Sequence, residues 1–221
     1  MPDTTWIDSG KTESPKNTDR ILTWIKANRE TFIGASVVTL AAAIFAAYFM
    51  SHYADLRDTA WKNLFIAQQT GFSGRTAEAQ TQLSAIENSY SNTSAYGYAI
   101  LTNGDIYFAQ GKLKQAEAEY SKLLEAKDKG LRPFALYSLG KTKEGQGELA
   151  AARARYADFL SAFPDHFLAP EVHWALARTC EASSEIAEAR NAWDKIVLLY
   201  PETYWASQAK AKLASPAPAK K

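Results

Sequence analysis

Hydrophobic and polar positions divide the chain into an unbroken apolar stretch near the N-terminus and a long amphipathic remainder. Between Thr31 and Tyr53 no Asp, Glu, Lys or Arg occurs. About 20 apolar residues, each rising about 1.5 Å in a helix, match a hydrocarbon layer roughly 30 Å thick. The pattern therefore predicts one transmembrane helix over 31–53. A buried core helix and a cleaved signal peptide are the alternatives, but both usually have a shorter apolar run.

Basic residues flank this stretch unequally. Five precede it within the first 30 positions: Lys11, Lys16, Arg20, Lys26 and Arg29. Only Arg57 and Lys62 follow it closely. Because Lys and Arg near a span resist translocation, we expect the N-terminus to remain in the cytoplasm. Residues 1–30 are then predicted to be a flexible cytoplasmic leader.

Small side chains recur at every fourth position within the predicted span: Ala35, Thr39, Ala43 and Ala47. Such residues share one face of a helix and allow another membrane helix to approach closely. This face is therefore a candidate contact for a partner helix. The alternative is an alanine-rich anchor without such a contact.

Beyond residue 53 the amphipathic pattern repeats. Gly104, Gly111, Ala116 and Tyr120 recur 36 residues later as Gly140, Gly147, Ala152 and Tyr156. Ala152, Tyr156 and Pro164 recur 37 residues later as Ala189, Trp193 and Pro201. Self-similarity at this period is typical of stacked helix pairs. The sequence predicts an all-α solenoid over 54–214, with about four helix pairs and a C-terminal capping helix, and a disordered tail over 215–221.

The repeated positions have distinct expected roles. Gly111 and Gly147 suit the turn between paired helices, and Pro164 and Pro201 end the second helix of a pair. The small residues at the positions of Gly104 and Ala116 allow the two helices of a pair to approach closely. We expect the aromatic residues at the position of Tyr120 to fill the space between neighbouring pairs.

Leu136-x2-Leu139-Gly140, Ala152-x3-Tyr156 and Pro164 resemble the tetratricopeptide repeat (TPR) pattern W-x2-L-G-x2-Y, A-x3-F and P. The resemblance implies that the first helices line a concave groove for a protein or peptide partner. The groove residues carried over onto this chain are Tyr98, Leu101, Asp105, Phe108, Phe134, Tyr137, Lys141, Glu144, Glu171, Trp174, Arg178 and Glu181. The alternative is that helix packing or the terminal helix covers several of them.

Composition and motifs argue against other functions. Lys and Arg number 25 against 24 Asp and Glu, without the basic excess of nucleic-acid binding proteins. Gly140-Lys141-Thr142 lacks the earlier glycine of a phosphate-binding loop, and His173 and Cys180 stand about 10 Å apart along a helix. We therefore expect no enzyme activity, cofactor, metal site or small-molecule substrate.

The order of leader, single span and TPR array resembles the YfgM-type proteins of bacteria, single-span ancillary partners of the Sec translocon. The resemblance implies an inner-membrane protein whose TPR domain is periplasmic. Its implied partners are a SecYEG-type translocon, a periplasmic chaperone or newly exported chains. The alternative is an envelope-assembly scaffold, similar to outer-membrane assembly or Tol-Pal-associated TPR proteins, without translocon contact.

Overall fold

The computed structural model describes residues 17–126 and 129–215. Residues 1–16 of the predicted leader and 216–221 of the predicted tail lie outside this part. The described chain forms helices α1 Asn17–Ala27, α2 Arg29–Phe72, α3 Thr76–Ser89, α4 Ser94–Ala109, α5 Leu113–Glu125, α6 Arg132–Gly145, α7 Leu149–Ala162, α8 Ala169–Ala182, α9 Ile186–Leu199 and α10 Tyr204–Ala214. Two compact units divide after Ala54.

The first unit contains α1 and the apolar part of α2. Residues 17–27 are helical rather than irregular, because Ile21, Trp24 and Ile25 follow helical spacing and neither Gly nor Pro interrupts them. The helix predicted over 31–53 is only part of α2. Neither Gly nor Pro occurs between Tyr53 and Thr70, so the helix continues to Phe72.

The apolar part of α2 is exposed along its whole length. Its length and composition are those of a membrane span, and a signal sequence shares both properties. The small-residue face at Ala35, Thr39, Ala43 and Ala47 is exposed too, and the Thr39 hydroxyl donates to the Ala35 carbonyl at 2.8 Å. A side-chain bond of this kind satisfies the hydroxyl within its own helix.

The second unit is a solenoid in which successive helices pack on one another. The last part of α2 shares a core with α3. The pairs α4/α5, α6/α7 and α8/α9 and the single helix α10 follow. Ala60, Leu64 and Ala67 of α2 are buried together with Leu83 and Ile86 of α3. The predicted all-α solenoid of paired helices is confirmed.

The turn inside each pair has the same backbone conformation. One residue takes a positive φ in each case: Gly74 at 85°, Gly111 at 69°, Gly147 at 79° and Ser184 at 61°. The next residue donates its N–H five positions back, as Glu148 does to the Lys143 carbonyl at 2.9 Å. This Schellman arrangement satisfies carbonyls at the end of the first helix. The predicted roles of Gly111 and Gly147 are confirmed, whereas Ser184 occupies the position without glycine's freedom.

A tyrosine ring packs directly on a glycine of the partner helix in two pairs. A Cβ added to Gly104 would lie 2.6 Å from the Tyr120 ring, and one added to Gly140 would lie closer than 3.0 Å to the Tyr156 ring. Tyr120 also belongs to a core cluster with Leu139 of the next pair. The prediction that these aromatics fill the space between pairs was therefore incomplete, because their closest packing is within a pair.

Gly140→Ala should destabilise the solenoid by about 1–3 kcal/mol, because the new methyl group overlaps the buried Tyr156 ring. Denaturant unfolding followed by circular dichroism measures the loss. Gly145→Ala in the same helix is the matched control, since its Cβ meets only the flexible end of Leu113 at 3.1 Å. Equal stability of the two variants would contradict the packing argument.

Ser184→Gly should stabilise the fourth pair by about 1 kcal/mol, because a left-handed backbone is unfavourable for a residue with a Cβ. Gly147→Ala should have the opposite effect at the equivalent turn, where a Cβ would meet open space. The exposed helical residue Ser84 provides the control, and Ser84→Gly should lower stability. Thermal unfolding midpoints test whether each of the three variants is stabilised or destabilised as expected.

Candidate protein-binding groove

The twelve predicted groove positions lie on α4, α6 and α8, and none of them is fully buried. Six make direct contacts with one another at the centre, and these are Phe108, Tyr137, Lys141, Glu144, Glu171 and Arg178. Tyr98 and Phe134 contact other aromatic residues, Leu101 packs on the core, and Trp174 and Glu181 contact α10. Asp105 lies beside the central group.

The centre of the groove is a lysine held between two aromatic rings. The Lys141 Nζ atom lies 5.2 Å from the Phe108 ring centroid and 5.4 Å from that of Tyr137. An ammonium near ring faces is attracted by their negative electrostatic potential. Phe108 on α4 and Tyr137 on α6 therefore hold the charge at the junction of two helix pairs.

Carboxylates around this centre are held by tyrosine hydroxyls. Tyr156 donates to Glu144 at 3.0 Å, and Tyr137 donates to Glu171 on the next first helix. Arg178 pairs with Glu144 at 2.8 Å and also joins successive first helices. Burial is the main cause that raises the pKa of Tyr137 and of Tyr156, and the neighbouring carboxylates raise it further. The groove charges are therefore fixed by specific partners.

Asp105 accepts a hydrogen bond from the Tyr120 hydroxyl at 2.6 Å. Loss of surrounding water raises the pKa of the Asp105 carboxyl, while the Tyr120 hydrogen bond and the charge of Lys141 oppose that rise. Although its side chain remains exposed at the groove surface, packed residues limit its hydration. The carboxylate therefore favours a further hydrogen-bond donor.

Aromatic residues extend the surface at its edges. Tyr98 contacts Trp61 of α2 at 5.2 Å, and Phe134 contacts Phe167 at 6.0 Å between ring centroids. Neither Trp61 nor Phe167 was among the predicted groove residues. Trp61 stands 37 residues before Tyr98, so the repeat period contained the signal, whereas Phe167 lies outside the helices and has no periodic signal.

The terminal helix covers the last part of the predicted groove. Trp205 of α10 lies 5.7 Å from Trp174 between ring centroids, and Lys212 pairs with Glu181 at 2.9 Å. The alternative considered from sequence, that the terminal helix covers some positions, therefore holds for Trp174 and Glu181. Leu101 likewise packs against two core clusters.

Two cavities open beside Asp105. The first has a volume of about 530 Å³ and is lined by Gln68, Gly71, Phe72, Thr76, Thr102, Asp105, Ile106, Ala109 and Gln110. The second has a volume of about 320 Å³ and is lined by Asp105, Phe108, Tyr120, Ser138 and Lys141. Asp105 contributes to both, so the cavities adjoin.

The residues considered from the sequence as catalytic or phosphate-binding candidates lie within the packed helices of the solenoid. His173 and Cys180 are buried in α8, where burial raises the pKa of the Cys180 thiol. Burial, with a smaller contribution from Lys195, lowers the pKa of His173 to about 4. Gly140-Lys141-Thr142 lies inside α6, where Thr142 donates to the Ser138 carbonyl. Residues 17–126 and 129–215 contain no group of three His, Cys, Asp or Glu that could hold a metal ion.

Comparisons with known proteins agree with this architecture. The tetratricopeptide repeat family matches residues 134–166, which cover most of the α6/α7 pair. No curated protein matches the chain. A tetratricopeptide repeat protein from Parabacteroides merdae ATCC 43184 is similar in structure, with a TM-score of 0.60 and 19% identity over 71% of this chain and 59% of that chain. The matched region is thus less than two thirds of that relative.

Two further solved structures share the fold. The 41-to-end form of MamA from Desulfovibrio magneticus RS-1 is 18% identical, with a TM-score of 0.56 over 71% of this chain and 82% of that chain. The TPR-like repeats of a putative kinesin light chain from Podosopora anserina are 15% identical, with a TM-score of 0.58 over 72% of this chain and 85% of that chain. At these identities the likeness is one of fold.

The paired helices and the groove define an α-solenoid scaffold. Residues 134–166 carry a tetratricopeptide repeat, which lies within a TPR-like solenoid of paired helices.

His173 should make the solenoid less stable in acid. Its folded pKa of about 4 lies below its ordinary value of 6.5, so the unfolded chain binds the proton more readily. The neutral ring's contribution is complete above about pH 6.5 and is lost as the pH falls towards 4. His173→Phe, which keeps a ring beside Tyr200, should flatten the stability profile in that window. An unchanged pH slope in urea unfolding would contradict this account.

Proposed function

We propose that this protein is a membrane-anchored scaffold whose TPR groove binds a protein partner on the periplasmic side of a bacterial inner membrane. The observation that carries the proposal is the groove centre, where Lys141 contacts Phe108 and Tyr137 on two successive first helices. A cation between two partly exposed aromatic rings is suited to contact with a partner chain. The pairing of the other groove charges keeps this surface in one arrangement.

The proposal of a membrane anchor is based on α2. Its apolar part is exposed throughout, which is unfavourable in water and favourable in lipid. The excess of basic residues before the span favours a cytoplasmic N-terminus. The same helix contributes Ala60, Leu64 and Ala67 to the first repeat core, so the groove begins close in sequence to the membrane segment.

The finer proposal is association with a SecYEG-type translocon. The exposed face at Ala35, Thr39, Ala43 and Ala47 would contact a translocon helix, and the groove would take a periplasmic chaperone or a newly exported chain. The resemblance in the order of leader, span and TPR array supports this choice. The second candidate is an envelope-assembly scaffold, which would use the same groove without the translocon contact.

Photo-crosslinking in intact membranes tests both parts of this proposal. A probe at Ala43 should form adducts with translocon subunits, and a probe at Tyr137 should form adducts with exported chains or a chaperone. A probe at Ala118, exposed on α5 outside the groove, is the matched control. Adducts from Tyr137 with one envelope complex and none from Ala43 would support the scaffold alternative. Equal adducts from Tyr137 and Ala118 would contradict a groove function.

A further inference from the structure

The larger of the two adjoining cavities has an apolar wall. Phe72 of α2 and Ile106 and Ala109 of α4 contribute to its lining, and Phe72 is 85% exposed. Gln68 and Thr102 also line the cavity, and the Gln68 amide donates to the Thr102 hydroxyl at 3.1 Å. One donor of the Gln68 amide is therefore already engaged with Thr102. The remaining open surface favours a large apolar side chain, whose entry would cover Phe72.

The smaller cavity brings together one carboxylate and one ammonium. Lys141 lies close enough to Asp105 for its charge to stabilise the ionised carboxylate. Each of the other charged groove residues has a hydrogen-bond or ion-pair partner. Within residues 17–126 and 129–215, the Lys141 ammonium has aromatic contacts but no hydrogen bond or ion pair. Its three N–H donors are available to an acceptor from a partner.

Charge complementarity selects the group that fits this cavity. A carboxylate would be attracted by Lys141 and repelled by Asp105. An ammonium would be attracted by Asp105 and repelled by Lys141. A carboxamide is neutral and has both an acceptor oxygen and a donor NH₂ group. Its oxygen can accept from Lys141 while its nitrogen donates to Asp105. A volume of about 320 Å³ has room for such a side chain.

Asp105 lines both cavities, so their occupants would be neighbours. In an extended chain, alternate side chains point the same way and stand about 7 Å apart. We infer that the groove recognises an extended partner segment with a large apolar residue and an Asn or Gln two positions away. The apolar side chain occupies the cavity at Phe72 and Ile106, and the carboxamide lies between Asp105 and Lys141. This inference rests on the proposed function, whose ligand it specifies.

Fluorescence anisotropy with dye-labelled heptapeptides tests the inference on the full chain in lipid nanodiscs. The reference peptides are Ser-Gly-Leu-Ser-Gln-Gly-Ser and its reverse order, because the binding direction follows from the measurement. Replacing Gln by Glu or by Met keeps the size but removes the carboxamide. We expect the Gln peptide in its tighter-binding order to bind about tenfold more tightly than its Glu or Met derivative. The loss of a hydrogen bond to a charged group weakens binding by about this factor. Replacing Leu by Ala should weaken binding similarly.

Two protein variants connect this preference to the proposed residues. Lys141→Met and Asp105→Asn should each reduce the preference for Gln over Met to about twofold or less. Lys114→Met and Asp194→Asn are matched controls, because both residues are exposed on second helices and line neither cavity. The controls should keep the preference. Circular dichroism verifies that every variant is folded.

Several outcomes would overturn the inference. Equal binding of the Gln, Glu and Met peptides, or tighter binding of the Glu peptide, would exclude the carboxamide site. Unchanged binding after Leu is replaced by Ala would exclude the apolar site. If the Tyr137 probe still forms groove-specific adducts in membranes, only this specificity has failed. If that probe forms none, the proposed groove function itself has failed.

Discussion

The contact of a tyrosine ring with a bare helix backbone is the constraint on which both the solenoid and its groove depend. Gly140 allows the Tyr156 ring to lie against α6, and that position directs the Tyr156 hydroxyl to Glu144. Tyr120 occupies the equivalent place one pair earlier and donates to Asp105. One side chain therefore fills the core of a pair and fixes a carboxylate among the predicted groove residues. Because both functions share one ring, core packing determines where the groove charges lie.

The surface of the predicted groove differs in the last pair, where no tyrosine packs on a glycine of the first helix. In the last pair Trp193 replaces the tyrosine, and an indole ring has no hydroxyl to donate. Glu181 is instead paired with Lys212 of α10, whose ammonium also lies 5.5 Å from the Trp193 ring centroid. The terminal helix thus satisfies the last carboxylate and covers Trp174. Both cavities border α4, the larger one also α2 and the smaller one also α6, where Lys141 lies.

The repeat period predicted the paired helices and the turn glycines. These features depend on local spacing, so the pattern Gly104, Tyr120, Gly140, Tyr156 was informative. The change of composition after Tyr53 predicts a boundary, whereas α2 continues to Phe72 because no residue there ends a helix. The cavities and the contact between Trp174 and α10 depend on how non-local side chains meet. Spacing in one sequence does not determine such contacts.

The most direct measurement of the link between packing and groove uses tyrosine hydroxyls alone. In membranes, adduct yields from a photo-crosslinking probe at Tyr137 are compared between the natural sequence and a Tyr120→Phe, Tyr156→Phe variant. Phe keeps the ring against Gly104 and Gly140 but removes the bonds to the carboxylates. The account predicts a folded solenoid with a clearly reduced yield. An undiminished yield in a folded variant would contradict the claim that these rings set the binding surface.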